Sequence, residues 1–379
     1  MEDIVGTNKI IRLSKSCIGD AEKQAVLGVL DREFLGIGVE VEQFEQALAE
    51  LFGRPTVCVV NGTSALHLSL QACCIGVGDE VLVPSLTYVA SFQAISATGA
   101  KPVACDIDEQ TCLLDLIDAE KRITKNTKAI MPVHYTGGVG DLDAIYDFAK
   151  KYNLRIIEDA AHAFGTTYQN KRIGSFGDIV CFSFDGIKNI TSGEGGCLVT
   201  DDESVLQKVR DARLLGVEKD TVKRFSGERS WDFDTTAQGW RYHMSNIMAA
   251  IGIEQLKRFS EFAEKRQNLA KHYDKLFSNH LIIKPVSQNY DSVVPHLYVV
   301  RIYGMQNRKE IQQKMLEKGV QVGYHYQPNH CLSFYKNDKA LPLSVTESVF
   351  PEIMSLPLHP DLSNNDVQYV VDELGKIIK

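Results

Sequence analysis

Short apolar runs and helix-like segments alternate along residues 56–214. The runs have the length and continuous hydrophobic character of strands buried on both faces, whereas the segments between them place apolar residues three or four positions apart. The predicted strands are residues 56–60, 80–84, 102–106, 128–133, 154–158, 178–183 and 196–200. This alternation predicts an α/β fold with a mostly parallel seven-stranded sheet sandwiched by helices. The last two runs are joined by a loop instead of a helix, so we expect an antiparallel member in a mixed sheet.

The chain on either side of this series follows other patterns. Helices are predicted for residues 20–30, with Asp20 as the N-cap, for 39–52, and for 244–262 as one long helix. Residues 217–241 are charged and predict an extended excursion. The C-terminal part mixes both patterns, with an alternating strand at 296–303, a helix at 308–318, a short strand at 320–323 and a final helix at 365–378. We therefore predict a large domain over residues 1–250 with a helical entry, and a small α+β domain over 251–379.

Composition narrows the class of protein. The 379 residues carry a net charge of −8 and no basic run, which argues against non-specific nucleic-acid binding. The nine cysteines are odd in number and form no Cys-x-x-Cys pair, which predicts a reducing compartment without a disulfide framework or a zinc site. Residues 1–8 lack the basic and apolar regions of a signal peptide, and no apolar run approaches the ~20 residues that span a bilayer. We expect a cytoplasmic protein with no membrane partner.

Polar side chains follow three of the predicted strands. Ligands of open α/β sheets bind beyond the carboxyl ends of the strands, so these side chains are candidates for a site. Thr63 and Ser64 open a helix after the first strand, either as an anion site or as simple N-caps. Tyr88 follows the second, either to stack on a planar ligand or to pack in the core. Asp159 follows the fifth strand, where it either faces a cationic ring nitrogen of a ligand or caps the next helix. His162, three residues later, either lies beside the same ligand or is a structural residue of the loop.

Lys188 lies in a glycine-rich loop between the last two predicted strands. A lysine held there can be desolvated and aimed as a Schiff-base nucleophile, although a solvated surface lysine is the plainer alternative. A phosphate cradle, a stacking aromatic, a strand-end aspartate and a lysine together match pyridoxal phosphate, whose ring the aspartate keeps protonated. A nicotinamide cofactor is not favoured, because no Gly-x-Gly-x-x-Gly follows the first strand.

Eight motifs in order resemble one known family. They are Asn61-Gly-Thr-Ser-Ala-Leu, Gly78-Asp-Glu-Val, Pro84-Ser-Leu-Thr-Tyr-Val-Ala, Glu158-Asp-Ala-Ala-His-Ala, Gly174-Ser-Phe-Gly-Asp, Phe182-Ser-Phe through Lys188-Asn, Gly193-Glu-Gly-Gly and Tyr242-His-Met-Ser-Asn-Ile. Across essentially the whole chain, the sequence resembles the DegT/DnrJ/EryC1/StrS nucleotide-sugar aminotransferases, which are fold-type-I enzymes that depend on pyridoxal phosphate.

The resemblance implies a role for each matching residue. Lys188 corresponds to the Schiff-base lysine and proton shuttle, and Asp159 to the partner of the pyridine nitrogen. Tyr88 resembles the stacking aromatic and His162 a residue beside the ring hydroxyl. The implied phosphate ligands are Thr63, Ser64 and Ser183, together with Asn246, which would come from the neighbouring subunit of a homodimer with two shared sites.

One position departs from the family pattern. Members commonly have histidine three residues before the lysine, where this chain has Asp185, which puts any role of a basic group there in doubt. Relatives that dehydrate sugars carry histidine in place of the lysine, so Lys188 favours transamination. Near the C-terminus, His325 and His330 lie in a segment that resembles one presented to the substrate by members that aminate C4 of the sugar. A polar turn is the alternative for both.

We expect amination of a nucleotide-linked 4-keto-6-deoxy sugar, with dTDP as the nucleotide, C4 as the acceptor carbon and L-glutamate as donor. The product would serve a surface polysaccharide or a glycosylated metabolite. Amination at C3, or of a keto sugar without a nucleotide, is an alternative on the same scaffold. A catalytically silent binding or regulatory protein is the alternative from a different class.

Overall fold

The computed structural model describes residues 10–218, 220–228, 231 and 233–378. Its strands are β1 (Thr56–Val59), β2 (Glu80–Pro84), β3 (Lys101–Cys105), β4 (Thr127–Ile130), β5 (Arg155–Asp159), β6 (Thr167–Tyr168), β7 (Lys171–Arg172), β8 (Ile179–Ser183), β9 (Gly196–Val199), β10 (Ile283–Pro285), β11 (Tyr298–Ile302) and β12 (Ile353–Leu356).

Seven of these strands form the central sheet, in the order β1-β9-β8-β5-β4-β2-β3. The pairs from β8 through β5, β4 and β2 to β3 are all parallel, whereas β9 runs antiparallel to both β8 and β1. The predicted mostly parallel mixed sheet, with its antiparallel member after the loop, is confirmed. The carboxyl ends of β1, β2, β5 and β8 consequently meet at one edge of the sheet.

Helices cover both faces of this sheet, and further helices lie in the N-terminal and C-terminal parts of the chain. They are α1 (Asp20–Asp31), α2 (Val39–Phe52), α3 (Gly62–Ala72), α4 (Val89–Ala97), α5 (Leu116–Lys121), α6 (Leu142–Tyr152), α7 (Glu203–Ala212), α8 (Asp220–Phe225), α9 (Asn246–Lys257), α10 (Phe259–Phe277), α11 (Arg308–Glu317), α12 (Ser344–Val349) and α13 (Asn364–Ile377).

The two faces of the sheet have separate cores. Successive residues of β8 point to opposite faces, so Phe182 packs in one cluster with Phe44 of α2, and Cys181 packs in the other with Leu68 of α3 and Phe92 of α4. Helices on both faces explain why runs such as residues 81–83 and 179–182 are apolar at successive positions and show no alternation.

Three local predictions are wrong. The N-cap of α1 is Gly19 and not Asp20, because the Glu22 side chain accepts the Gly19 N–H at 2.8 Å. The helix predicted over 244–262 breaks at Arg258 (φ −95°, ψ 0°), whose guanidinium donates to Glu22 Oε1 at 2.8 Å. Residues 320–323 form no strand; Val320 and Gly323 make only isolated bridges, to Ile11 and Ser355.

A third hydrophobic core lies in the C-terminal part. The antiparallel sheet β10-β11-β12 packs with α10, α11 and α13 around Tyr273, Tyr298 and Met354. Ile11 from the start of the described chain joins this cluster. The division at residue 250 falls inside α9 and stays a prediction.

The predicted excursion over residues 217–241 contains the short helix α8, and residues 219, 229–230 and 232 lie outside the described part. The prediction that no signal peptide is present rests on residues 1–8, which also lie outside the described part of the chain. Among the described residues, no helix is both long and apolar enough to cross a membrane.

Candidate active site

A cavity of about 440 Å³ opens at the carboxyl edge of the central sheet, a volume within the range of small-molecule sites. The loops after β1, β2, β5 and β8 supply most of its lining. The predicted residues that line it are Thr63, Tyr88, Asp159, His162, Ser183, Lys188 and His325, joined by Asp185. Among the described lining residues, Lys188 is the only lysine or arginine.

The N-terminus of α3 meets the end of β8 on one side of the cavity. Asn61 caps the helix, since its Oδ1 accepts from the Ser64 N–H at 2.8 Å and from the Ser64 Oγ–H at 2.9 Å. The simple N-cap proposed for Thr63 or Ser64 is therefore wrong. Thr63 is left to line the cavity, while Ser64 is buried and is not among the lining residues.

Close approach explains the glycine in this turn. A Cβ on Gly62 would lie 2.8 Å from the Ser183 Cβ, which is closer than carbon atoms tolerate. With glycine there, the free N–H groups of the helix end and the hydroxyls of Thr63 and Ser183 face one place. That arrangement suits a phosphate.

Asp159 is held at the carboxyl end of β5. Its Oδ2 accepts from the Ser91 Oγ–H at 2.7 Å, its Oδ1 accepts from the Ala161 N–H at 3.2 Å, and the side chain is almost fully buried. No helix follows Asp159, so the capping alternative is wrong. No sequence pattern indicated Ser91, which is the third residue of α4 and comes from a different part of the chain.

Tyr88 and His162 lie on the same wall as Tyr326. Tyr88 is 57% exposed, so the core-packing alternative is wrong, and its ring centroid is 5.3 Å from that of Tyr326. His162 Nε2 lies 3.0 Å from the Tyr326 hydroxyl, and its Nδ1 has no partner among the described residues. Burial, reinforced by Lys188, holds the pKa of His162 well below its usual value, so the imidazole is neutral. Tyr326 lies between His325 and His330, and the sequence pattern pointed only to these two histidines.

Lys188 projects into the cavity from the loop between β8 and β9. Burial lowers the pKa of its amine to about 8, against the opposing effect of Asp185 and Asp159, while Arg266 lowers it further. A surface lysine would have no such shift, so the plainer alternative does not describe Lys188. Asp185 thus contributes a negative charge near the amine.

The two C-terminal histidines have different surroundings. His325 lines the cavity, with its Nδ1 2.7 Å from the Ser355 hydroxyl. His330 is not among the lining residues, because its Nδ1 lies 2.7 Å from the Ser85 hydroxyl. We therefore keep His325 as a candidate substrate contact and assign His330 to holding the cavity wall.

Asn329 fastens this C-terminal segment to the loop after β2. Its Nδ2 donates to the carbonyl oxygens of Ser85 (3.1 Å) and Thr87 (2.8 Å), and its own N–H donates to the Ser85 carbonyl at 2.9 Å. Asn329 is fully buried. The tie sets the position of Tyr326 relative to Tyr88 and no sequence pattern predicted it.

Replacing Asn329 with alanine is expected to raise the KM for the substrate about tenfold with a smaller change in kcat, because the segment carrying His325 and Tyr326 loses both side-chain hydrogen bonds of its anchor and keeps only the backbone one. The Thr87 carbonyl also loses its donor, while that of Ser85 keeps the backbone N–H, and the free energy of unfolding should fall by roughly 1–3 kcal/mol. Steady-state kinetics and urea unfolding measure both effects. The matched control is Asn337→Ala, an exposed asparagine of the same segment. An unchanged KM in Asn329→Ala would contradict this positioning role.

Asn246 lies apart from the cavity of its own chain. Its Nδ2 donates to the Phe34 carbonyl at 2.9 Å and its Oδ1 accepts from the Val41 N–H at 3.4 Å, with the side chain buried. Whether it serves the site of a second subunit stays a prediction.

The residues present fit pyridoxal phosphate. The helix end with Thr63 and Ser183 suits its phosphate, the buried Asp159 its ring nitrogen, and Lys188 its aldehyde carbon. No group of three or more metal-ligating side chains occurs among the described residues.

Comparisons with known proteins agree with this geometry. A model of the DegT/DnrJ/EryC1/StrS aminotransferase family matches residues 16–375. The spore coat polysaccharide biosynthesis protein SpsC of Bacillus subtilis is 36% identical over 385 residues, covering 98% of each chain. Among solved structures, PseC of Helicobacter pylori, an aminotransferase involved in the biosynthesis of pseudoaminic acid, matches with a TM-score of 0.89 at 28% identity, over 97% of this chain and 99% of that one. The pyridoxal phosphate form of Spr1654 from Streptococcus pneumoniae, a putative sugar aminotransferase, has a TM-score of 0.89 at 30% identity, over 97% and 98%.

Proposed function

Because the chain belongs to the DegT/DnrJ/EryC1/StrS aminotransferase family, we propose that it transfers the amino group of L-glutamate to C4 of a dTDP-linked 4-keto-6-deoxy sugar. The protein is a sugar aminotransferase that depends on pyridoxal phosphate and has the type I fold of pyridoxal phosphate enzymes. The alternative of a catalytically silent binding protein is not retained.

One observation carries the proposed chemistry: a lysine with a lowered pKa shares a cavity with a buried aspartate and a helix N-terminus. When bound there, pyridoxal phosphate acts as an electron sink for the carbon that bears the amino group. Thr63, Ser183 and the N–H groups of α3 would bind the phosphate. Asp159 would hold a proton on the pyridine nitrogen, and its hydrogen bond from Ser91 orients the carboxylate.

Lys188 would move the protons of the reaction. As a free base, its Nζ can remove the proton from the α-carbon of glutamate and deliver a proton to the neighbouring carbon of the cofactor. In the second half-reaction the same amine would return a proton to the sugar carbon that receives the nitrogen. A pKa near 8 keeps both protonation states of this amine accessible close to neutral pH. Tyr88 and Tyr326 would cover the ring and exclude water.

The proposed acceptor rests on weaker support. The relatives act in the making of a spore coat polysaccharide and of pseudoaminic acid, which favours a role in surface polysaccharide synthesis for this chain too. His325 lines the cavity and is the proposed sugar contact. Amination at C3, or of a keto sugar without a nucleotide, fits the same cofactor site.

We also propose a homodimer with shared sites. Cofactor phosphate, glutamate and a nucleotide diphosphate are all anionic, yet Lys188 is the only lysine or arginine among the described lining residues, beside Asp159, Asp185 and Glu194. Further cations or donors from a second subunit would offset this deficit, and Asn246 is one candidate donor. The unpaired state of all nine cysteines supports the proposed cytoplasmic setting.

Purified protein loaded with cofactor tests the proposal in two steps. With L-glutamate, its visible absorbance should change to that of the pyridoxamine form, and a panel of dTDP-, UDP- and GDP-linked keto sugars should then restore the original spectrum selectively. NMR of the product identifies the aminated carbon. No response to glutamate would contradict the amino donor, a 3-amino product would support the C3 alternative, and turnover of the free keto sugar would remove the nucleotide requirement.

A further inference from the structure

A buried histidine from the C-terminal part lies against the amine of Lys188. His296 lies two residues before the start of β11, is 3% exposed, and places its Nε2 3.4 Å from the Lys188 Nζ. Its Nδ1 is buried and has no partner among the described residues. On its other side, its ring centroid lies 4.5 Å from that of His162. His296 therefore contacts both Lys188 and His162, the two residues that are proposed to lie at the cofactor.

The backbone of His296 is fixed from two directions. Its N–H donates to the Thr136 carbonyl at 2.8 Å, and its carbonyl accepts from Nη1 of Arg266 at 3.2 Å. Arg266 is itself buried in α10 and forms no ion pair with a carboxylate of the described residues. Because the buried guanidinium of Arg266 donates to backbone carbonyls and not to a carboxylate, we infer that its role is to hold the segment around His296 in position.

A second tie sets the distance between His296 and Lys188. Asn189, the residue after the lysine, is buried and donates through its Nδ2 to the carbonyls of Phe164 (3.1 Å) and Val294 (3.2 Å). The lysine loop and the segment that carries His296 are thus joined one residue from Lys188 and two residues from His296. The contact between amine and imidazole is built into the fold and is not a chance meeting of two flexible side chains.

We propose that His296 is a positioning residue for Lys188: its Nε2 accepts a hydrogen bond from the free Lys188 amine and holds it at the cavity when it is not bound to the cofactor. Burial and the neighbouring Lys188 keep the pKa of His296 well below its usual value, so the ring is neutral and Nε2 has a lone pair to offer. The proton of the neutral ring then lies on Nδ1. This inference rests on the proposed role of Lys188.

The hydrogen bond has a predictable sign. An acceptor beside an ammonium group favours the charged form, so His296 raises the pKa of Lys188 against the effect of burial. The other groups that face the amine are Asp185 and Asp159, which raise its pKa, and Arg266, which lowers it; His162 and His325 are neutral neighbours. Removing the imidazole while leaving these in place should therefore lower the pKa of Lys188.

Competitive acetylation of cofactor-free protein measures this pKa. The amine reacts with acetic anhydride only as the free base, so labelling of Lys188, followed by mass spectrometry, rises with pH through its pKa, near 8 in the natural protein. In His296→Leu we expect the midpoint to fall by about one pH unit, the size of one hydrogen bond to a charged group. In His296→Gln, whose amide oxygen can accept, it should return towards the natural value. An unchanged or raised midpoint in His296→Leu would overturn the proposal.

The control variant is His359→Leu, because His359 is 5% exposed and, unlike His296, makes no hydrogen bond to Lys188. It repeats the loss of a buried imidazole without removing a hydrogen bond to Lys188, and the labelling midpoint of Lys188 should stay at the natural value. A shift as large as that of His296→Leu would assign the effect to packing and overturn the proposal.

A second measurement uses the natural protein and does not depend on how a variant folds. In natural protein with ¹⁵N-labelled histidine, His296 should show a protonated Nδ1 and an unprotonated Nε2, and the opposite tautomer would overturn the proposal. Both readouts use cofactor-free protein and no substrate. They can therefore fail while the glutamate response succeeds, or succeed while the proposed sugar is wrong.

Discussion

Replacing Lys188 with alanine is expected to abolish transamination, lowering kcat/KM by at least roughly 10³–10⁴-fold, the contribution of a well-placed proton carrier. Alanine removes both the amine that attaches the cofactor and the base that moves the proton from the α-carbon. The phosphate site and Asp159 remain, so the variant should still bind pyridoxal phosphate without covalent attachment. Stopped-flow absorbance with L-glutamate measures the loss directly.

Two control variants sharpen this result. Lys257→Ala removes an exposed lysine that pairs with Glu254 on the surface of α9, and it should leave kcat/KM unchanged. Lys188→Arg keeps a cation in the cavity but no group that deprotonates near neutral pH, so it should be as inactive as the alanine variant. Activity within tenfold of the natural protein in Lys188→Ala would contradict the assignment.

Replacing Asp159 with asparagine is expected to lower kcat/KM roughly 10²–10³-fold, the usual effect of removing one aligned electrostatic partner from a reacting centre. Asparagine has nearly the same shape. Its amide oxygen can accept from the Ala161 N–H and its NH₂ can donate to the Ser91 oxygen, so the change chiefly removes the negative charge. Without that charge the pyridine nitrogen loses its proton and the ring withdraws electrons poorly. Because both half-reactions use the same ring, their rates should fall together in single-turnover experiments.

The comparison for this variant is Asp291→Asn. Asp291 is exposed and pairs with Lys271, so its substitution changes the net charge equally without touching the cavity. A rate for Asp159→Asn within about threefold of this control would place the carboxylate outside the chemistry.

The sequence predicted best what depends on local pattern. Continuous apolar runs predicted the central sheet, and the missing helix between the last two runs predicted the antiparallel β9. Once the sheet was known, the strand-end rule brought Asp159, Ser183 and Lys188 to one edge, because parallel strands align their carboxyl ends.

What the sequence did not predict depends on contacts between distant segments. Arg258 breaks the long helix by reaching Glu22, more than two hundred residues earlier in the chain, while the apolar spacing runs on through the break. His296 reads as the start of an alternating strand, and nothing in that pattern indicates a contact with Lys188. Asn329 is an ordinary turn residue until its two carbonyl partners are known.

The order in which the chain is synthesised gives these ties a further meaning. A ribosome makes the lysine loop at the midpoint of the chain, but the wall that completes its cavity, from His296 to Asn329, comes only near the end. During synthesis, a nascent chain therefore contains Lys188 before it contains either His296, which contacts the amine, or Tyr326, which lines the same cavity. A chain released early from the ribosome would carry the lysine loop without these wall residues, so any cofactor attached to it would lie in an incomplete site.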